Sequence, residues 1–173
     1  FNADFLGNWL LPVAFTKQFS TKRILTDTDP VLNRLYQFES HMSLTGANAD
    51  YRIAIRPSEE SALLLKLYNE IARSIGASTY VAPAIDIDVS KAATDLLASK
   101  GKSIVVSGTN DLNIQLIVNA INHLLGNYNS TIDITKPIHL NQANEKEMSK
   151  LVSEMKSGLI NGLLVYNTNP VYD

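Results

Sequence analysis

The chain has 173 residues and a mass of 19.0 kDa, enough for one ordinary domain with a sizeable core or for two very small ones. A composition that is 45% hydrophobic and 18% charged excludes a disordered segment and a solenoid of charged helices; 15 Lys+Arg against 17 Asp+Glu leave a net charge of -2, with no global positive field to draw nucleic acid or anionic lipid. The absence of cysteine excludes disulfides, thiolate zinc sites, a cysteine nucleophile and cysteine-held iron–sulphur clusters within the chain, and no run of about 18 apolar residues is present to span a membrane.

The chain opens at Phe1 without Met and stops at Asp173 after an apolar run, so both ends read as cut from a larger protein. Trp9 to Phe19 predicts a short helix through Trp9, Leu10, Val13 and Phe15, with Pro12 confined to its first turn. Thr26-Asp27-Thr28-Asp29-Pro30 is a turn or linker, because Asp and Thr bond their own backbone and Pro30 keeps Asp29 out of the helical region. Tyr36-Gln37-Phe38-Glu39 reads as a brief strand, Ser43 to Asp50 as a loop around Gly46, and Tyr51 to Ile55 as extended chain. A helix opens at Pro57-Ser58 and runs to about Ile75, with Leu63, Leu64, Leu67, Tyr68 and Ile71 on one face and Gly76 as its stop. Asp88 to Lys100 predicts a second helix, capped by Asp88 and ended by Gly101.

Ser103-Ile104-Val105-Val106-Ser107 has the apolar, β-branched pattern of a strand buried on both faces. Gly108 to Asp111 forms a turn, and a helix from about Leu112 to Leu125, stopped by Gly126, carries the wide apolar face of a helix laid on a sheet. A further strand is expected near Ile138 to Leu140. Asn144 and Glu147 have the spacing of a capping box ahead of a helix whose stripe is Met148, Leu151, Val152 and Met155 and whose end is Gly158; Leu163 to Tyr166 follows as another apolar strand. Strands alternating with helices in this order predict a parallel α/β fold with right-handed crossovers.

In an open parallel sheet, ligands sit beyond the carboxyl ends of the strands. Two loops take that place: Ser107-Gly108-Thr109-Asn110-Asp111 and Asn167-Thr168-Asn169-Pro170. Their amides and hydroxyls, with free N–H groups at a helix start, suit a nucleotide-like or phosphate-bearing ligand; the same residues would equally cap a helix and turn the chain. His41, His123 and His139 are far apart and have no metal-like partner at helical spacing. Asp27/Asp29 and Asp86/Asp88 lack the rest of a calcium loop. No Gly-x-Ser-x-Gly turn, phosphate loop or dinucleotide glycine pattern occurs, so no catalytic constellation emerges.

Several segments taken together resemble the molybdopterin oxidoreductase family. Ala49-Asp50-Tyr51 through Arg56-Pro57 and on to Leu63 is similar to its "Ala-Asp … Arg-Pro-Gly-Thr-Asp-x-Ala-Leu" segment. Ile104 to Gly108 with Leu124-Leu125-Gly126-Asn127 is similar to its strand, glycine turn, helix and "Leu-Leu-Thr-Gly-Asn", and Gly158 to Pro170 to its "Gly-x-Ile-x-x-Leu … Gly-x-Asn-Pro". Asp4 to Gly7, Tyr36 to Ser40, Met42 to Arg52 and Asn167 to Asp173 resemble one branch, the iron–sulphur, molybdopterin-oxidoreductase-like large subunit of bacterial alternative complex III. The resemblance implies a three-layer α/β/α domain with a mainly parallel, Rossmann-like sheet over residues 1–173. About 1–35 would be an inserted helical segment and about 36–173 the family core. The strand before Ala3 would be truncated, leaving an apolar edge open to dimerisation. The family's dinucleotide contacts fall on Gly108, Thr109, Asn110, Asp111, Glu60, Asn167, Asn169 and Pro170.

The departures from that pattern shape the functional expectation. Where cofactor-bearing relatives have Gly-Thr-Asp against the guanine dinucleotide, this chain has Ser58, Glu59 and Glu60, which removes a close backbone approach and adds carboxylates beside a pyrophosphate. Gly126 to Thr131 lacks the glycines and arginine of the relatives, and Asn167 replaces a glycine. The resemblance thus implies a cofactor-free, non-catalytic scaffold domain in a quinol-oxidising respiratory complex, on the periplasmic side of the membrane. Its expected partners are a multihaem cytochrome c and an integral membrane subunit, with iron–sulphur clusters elsewhere in the parent protein and neither nucleic acid nor a membrane span in this chain. The alternatives are a fragment of an active enzyme that binds molybdopterin guanine dinucleotide, and a stand-alone nucleotide-binding domain.

Overall fold

The structure, a computed structural model, describes residues 1–28, 30–137, 144–166 and 169. The chain divides into two compact units, Phe1–Pro137 and Ile138–Asp173. In the first unit the elements run α1 (Pro12–Thr21), β1 (Tyr36–Glu39), α2 (Leu44–Ala47), β2 (Tyr51–Ala54), a 3₁₀ turn (Pro57–Glu59), α3 (Glu60–Ser74), α4 (Ser90–Ala98) and α5 (Leu112–Leu124). The second unit contains α6 (Glu145–Lys156). Among the described residues no helix is long and apolar enough to cross a membrane.

The helices follow the local signals closely. Pro12 occupies the first turn of α1, where its missing N–H costs nothing, and Gly76, Gly101, Gly126 and Gly158 all adopt positive φ just beyond helix ends. Asn144 caps α6 by accepting the Glu147 N–H at 3.2 Å. Asp88 stands one residue further out than a cap and takes the N–H and hydroxyl of Ser90 at 2.9 and 3.0 Å. The expected loop from Ser43 to Asp50 instead contains α2, started by the Ser43 hydroxyl accepting the Gly46 N–H at 2.9 Å.

The sheet is smaller than the Rossmann-like one expected. β1 and β2 pair in parallel, Tyr36 beside Tyr51 through Glu39 beside Ala54, and they are the sheet's two strands among the described residues. The 103–107 segment runs alongside without becoming a strand of the ladder, because Phe1 and Asn2 lie between it and β1. Asn2 N–H donates to Phe38 C=O (2.9 Å), Gly108 N–H to Phe1 C=O (3.0 Å), and the Phe1 amine to Val106 C=O (2.8 Å). These bonds alternate as in a parallel ladder, so the mixed α/β character and strand direction hold while strand length does not. The expectation that 103–107 is buried on both faces is also corrected. Val105 and Ser107 are buried, whereas Ile104 is 50% exposed and Val106 half-buried, since only one face joins the core. Leu163 to Tyr166 likewise lacks strand pairing among the described residues and is largely exposed; the expected strand at Ile138 to Leu140 lies outside them.

α3 is the axis of the first unit, packed against α4 and α5. Leu63, Leu64, Leu67 and Ile71 are buried on its inner face with Val118, Ile121 and Leu125, and Phe1 stacks on Phe38 with ring centres 4.7 Å apart. The face is the one the 3.6-residue spacing marks out.

Candidate functional site

The parallel direction brings four chain segments to one carboxyl-side edge: Asn2–Asp4, Glu39–Ser43, Arg56–Glu60 and Ser107–Asp111. This is where an open α/β sheet places ligands. Glu60 and the Gly108–Asp111 loop do meet there. The Glu60 carboxylate is buried and accepts the Ser107 hydroxyl on Oε1 and the Asn2 amide on Oε2, both at 2.6 Å. Asn2 in turn accepts the Ser40 N–H at 2.9 Å. Of its neighbours, Ser58 is exposed, and Glu59 turns back to accept the Arg56 N–H at 2.8 Å.

The loop itself is closed by its own side chains. Ser107 Oγ accepts the Thr109 N–H and Thr109 Oγ1 the Asp111 N–H, each at 3.3 Å, while Gln115 donates to the carbonyls of Ser107 and Thr109 at 3.3 and 2.6 Å. Asp111 caps α5, taking the N–H groups of Asn113 and Ile114 at 2.9 and 3.0 Å. Gly108 has no β-carbon because Asn2 is there: an added one would lie 2.3 Å from the Asn2 carbonyl oxygen. Asn110 is exposed at the rim of an open groove of about 380 Å³ that runs past Trp9, Ile104, Gln115, Asn119 and Ile132. Asn167 and Pro170 lie outside the described residues, and Asn169 belongs to the second unit.

These groups suit a pyrophosphate poorly. An anion at the α5 N-terminus would have to displace the Asp111 carboxylate from the same N–H groups, with the Glu60 carboxylate beside it. The close backbone approach that a glycine permits is already taken by Asn2.

A second polar cluster on the same edge was not singled out by the sequence. Glu39 ends β1 1% exposed and accepts the Ser43 N–H and hydroxyl, the Gln37 amide and the Arg52 guanidinium. Burial opposes its ionisation, but these donors outweigh it and hold the carboxyl below its ordinary range. Gly46 leaves the room, since a β-carbon there would fall 1.9 Å from the Glu39 carboxylate. Asp4 accepts the Thr45 N–H and hydroxyl at 2.9 and 2.8 Å beside it. The one local signal was an acid closing an apolar strand, with Arg52 set in the adjoining one. His41 and His123 are exposed, and the described residues contain no group of three or more His, Asp or Glu placed to hold a metal ion.

Comparison with protein-family models and with the curated proteins finds no match for this chain.

Proposed function

We propose that this chain is a non-catalytic, cofactor-free scaffold of the molybdopterin-oxidoreductase-like kind, a three-layer α/β/α module of a larger subunit in a quinol-oxidising respiratory complex. In that setting it docks a multihaem cytochrome c and an integral membrane subunit on the periplasmic side, while iron–sulphur clusters elsewhere in the parent protein carry the electrons. The observation that carries the reading is the closure of the carboxyl-side edge. Glu60, the residue aligned with the guanine-binding acid of cofactor-bearing relatives, bonds Ser107 and Asn2 instead, and Asp111 takes the helix N–H groups a phosphate would need. A site whose donors and acceptors are mutually satisfied has little to offer an incoming anion, because each new bond requires breaking an old one.

The test has two parts. Molybdenum analysis of the full-length protein is expected to find none, and near-stoichiometric metal overturns the reading. On the 173-residue chain, guanosine diphosphate at millimolar concentration is expected to leave Tm unchanged. An upward shift of several degrees would mean preferential binding to the folded state and a working nucleotide site.

A further inference from the structure

α1 is anomalous in burying none of its residues. A helix of ten residues is marginal on propensity alone, so contacts must hold it, and they come from one side. Phe19 meets Phe5 edge-on at 5.8 Å, the Arg23 guanidinium lies over Phe19 at 5.2 Å, and Arg23 is paired with Asp50 at 2.8 Å. The opposite side carries Val13 and Lys17 one helical turn apart, above an open depression of about 410 Å³ floored by Leu6, Gly7 and Pro12. Leu10 and Leu11 lead into the helix and Ile24 and Leu25 leave it, at 41%, 47%, 69% and 57% exposure, with Val13 at 85%.

Charge identifies the occupant. From Phe5 to Thr26 there is no acid, and the cations are Lys17, Lys22 and Arg23. All 17 acids and twelve of the 15 cations lie elsewhere, so the remainder of the chain is net negative while this segment is positive. Two copies meeting through it would set cation against cation. A negatively charged surface that also accepts apolar side chains satisfies both features, and Trp9, the only tryptophan in the chain, has the ring type that settles at a membrane–water boundary. We propose that α1 and its flanks rest on an anionic lipid surface. Val13, Leu10, Leu11, Ile24 and Leu25 enter the headgroup layer, and Lys17 and Lys22 reach the lipid phosphates on long apolar stems. The segment lies on the membrane and does not span it. This inference is independent of the scaffold reading, since a cofactor-bearing module with the same α1 would bind in the same way.

Flotation with phosphatidylcholine vesicles containing phosphatidylglycerol tests it, with Trp9 as internal probe. The chain is expected to float with these vesicles at low salt and to be released by high salt. Trp9 emission should move to the blue and be quenched by brominated acyl chains. Lys17→Gln with Lys22→Gln should weaken partitioning about 30-fold, about 5-fold per lysine, and Val13→Asp should remove the quenching. These positions are exposed, and unchanged circular dichroism confirms that each variant folds. No flotation with the anionic vesicles, or equal flotation with phosphatidylcholine alone, overturns the proposal. So does a Trp9 shift that grows with protein concentration in the absence of lipid, which would make a second copy the occupant.

Discussion

Two residues decide how the carboxyl-side edge is understood, and each can be changed alone. A β-carbon on Gly108 would meet the Asn2 carbonyl oxygen at 2.3 Å, and neither backbone is free to move while Phe1 and Gly108 exchange their bond at 3.0 Å. Gly108→Ala is therefore expected to cost about 2–3 kcal/mol in urea unfolding, the scale of overpacking in a well-fitted interior. Gly162→Ala, where nothing lies within 4 Å, serves as the near-neutral control. Glu60→Gln keeps the shape but replaces one acceptor with a donor, leaving either Asn2 or Ser107 facing the wrong group, for a loss of about 1–2 kcal/mol. If Glu60 held a guanine base instead, the same change would alter guanosine diphosphate affinity and leave the urea midpoint in place. The acid itself was legible as a site residue from its position after Arg56-Pro57. Its partner was not, because Ser107 lies 47 positions away and nothing local encodes which hydroxyl will face it.

Two asparagines on helices perform the same task for two irregular segments. Asn69 of α3 donates to Tyr80 C=O and accepts Tyr80 N–H, at 2.8 and 2.9 Å; Asn122 of α5 donates to Val105 C=O and accepts Val105 N–H, at 2.7 and 3.0 Å. A single amide thus supplies the pair of bonds that a neighbouring strand would otherwise give, and it lets an extended segment stay outside a ladder. The two cases differ in burial. Val105 is 6% exposed and Tyr80 63%, so water can replace Asn69 but not Asn122. Asn122→Ala should cost about 3 kcal/mol and Asn69→Ala about 1 kcal/mol, measured as shifts in urea midpoint. Equal losses would refute burial as the deciding factor. This also explains why helices were legible and strands were not. Apolar spacing and terminal glycines define a helix locally, whereas a β-branched run such as Ile104 to Val106 states only a preference for extended backbone. Whether that backbone finds a ladder depends on neighbours elsewhere, and here a side chain that reads in sequence as an ordinary helix-boundary polar residue takes the place.

At the scale of the whole molecule, ionisable groups are unevenly matched to burial, and this gives stability a definite dependence on pH. Asp50 is held below the usual carboxylate range by Arg23, against some burial, and Asp95 by Tyr36 and Arg34; with Glu39 they contribute stability at neutral pH that is lost as pH falls through the acid range. The group that acts near neutrality is the Phe1 amine. Burial between β1 and the 106–108 segment depresses it from 8.0 to about 6, although Glu60 and Glu39 pull the other way. Between those two values the unfolded chain binds a proton that the folded chain does not, so stability rises with pH over that window. The full effect is present above pH 8 and lost as pH falls towards 6, on the order of 2 kcal/mol. The neutral amine still donates to Val106 C=O, so nothing is given up at the alkaline end. The urea midpoint of the 173-residue chain is accordingly expected to be higher at pH 8 than at pH 6. A chain extended by residues ahead of Phe1 has an amide at that nitrogen, keeps a donor for Val106, and should show no slope in the same window. A slope that survives the extension would assign the titration to another group, and no slope in either chain would mean that the amine is hydrated and Phe1 does not lie in the sheet.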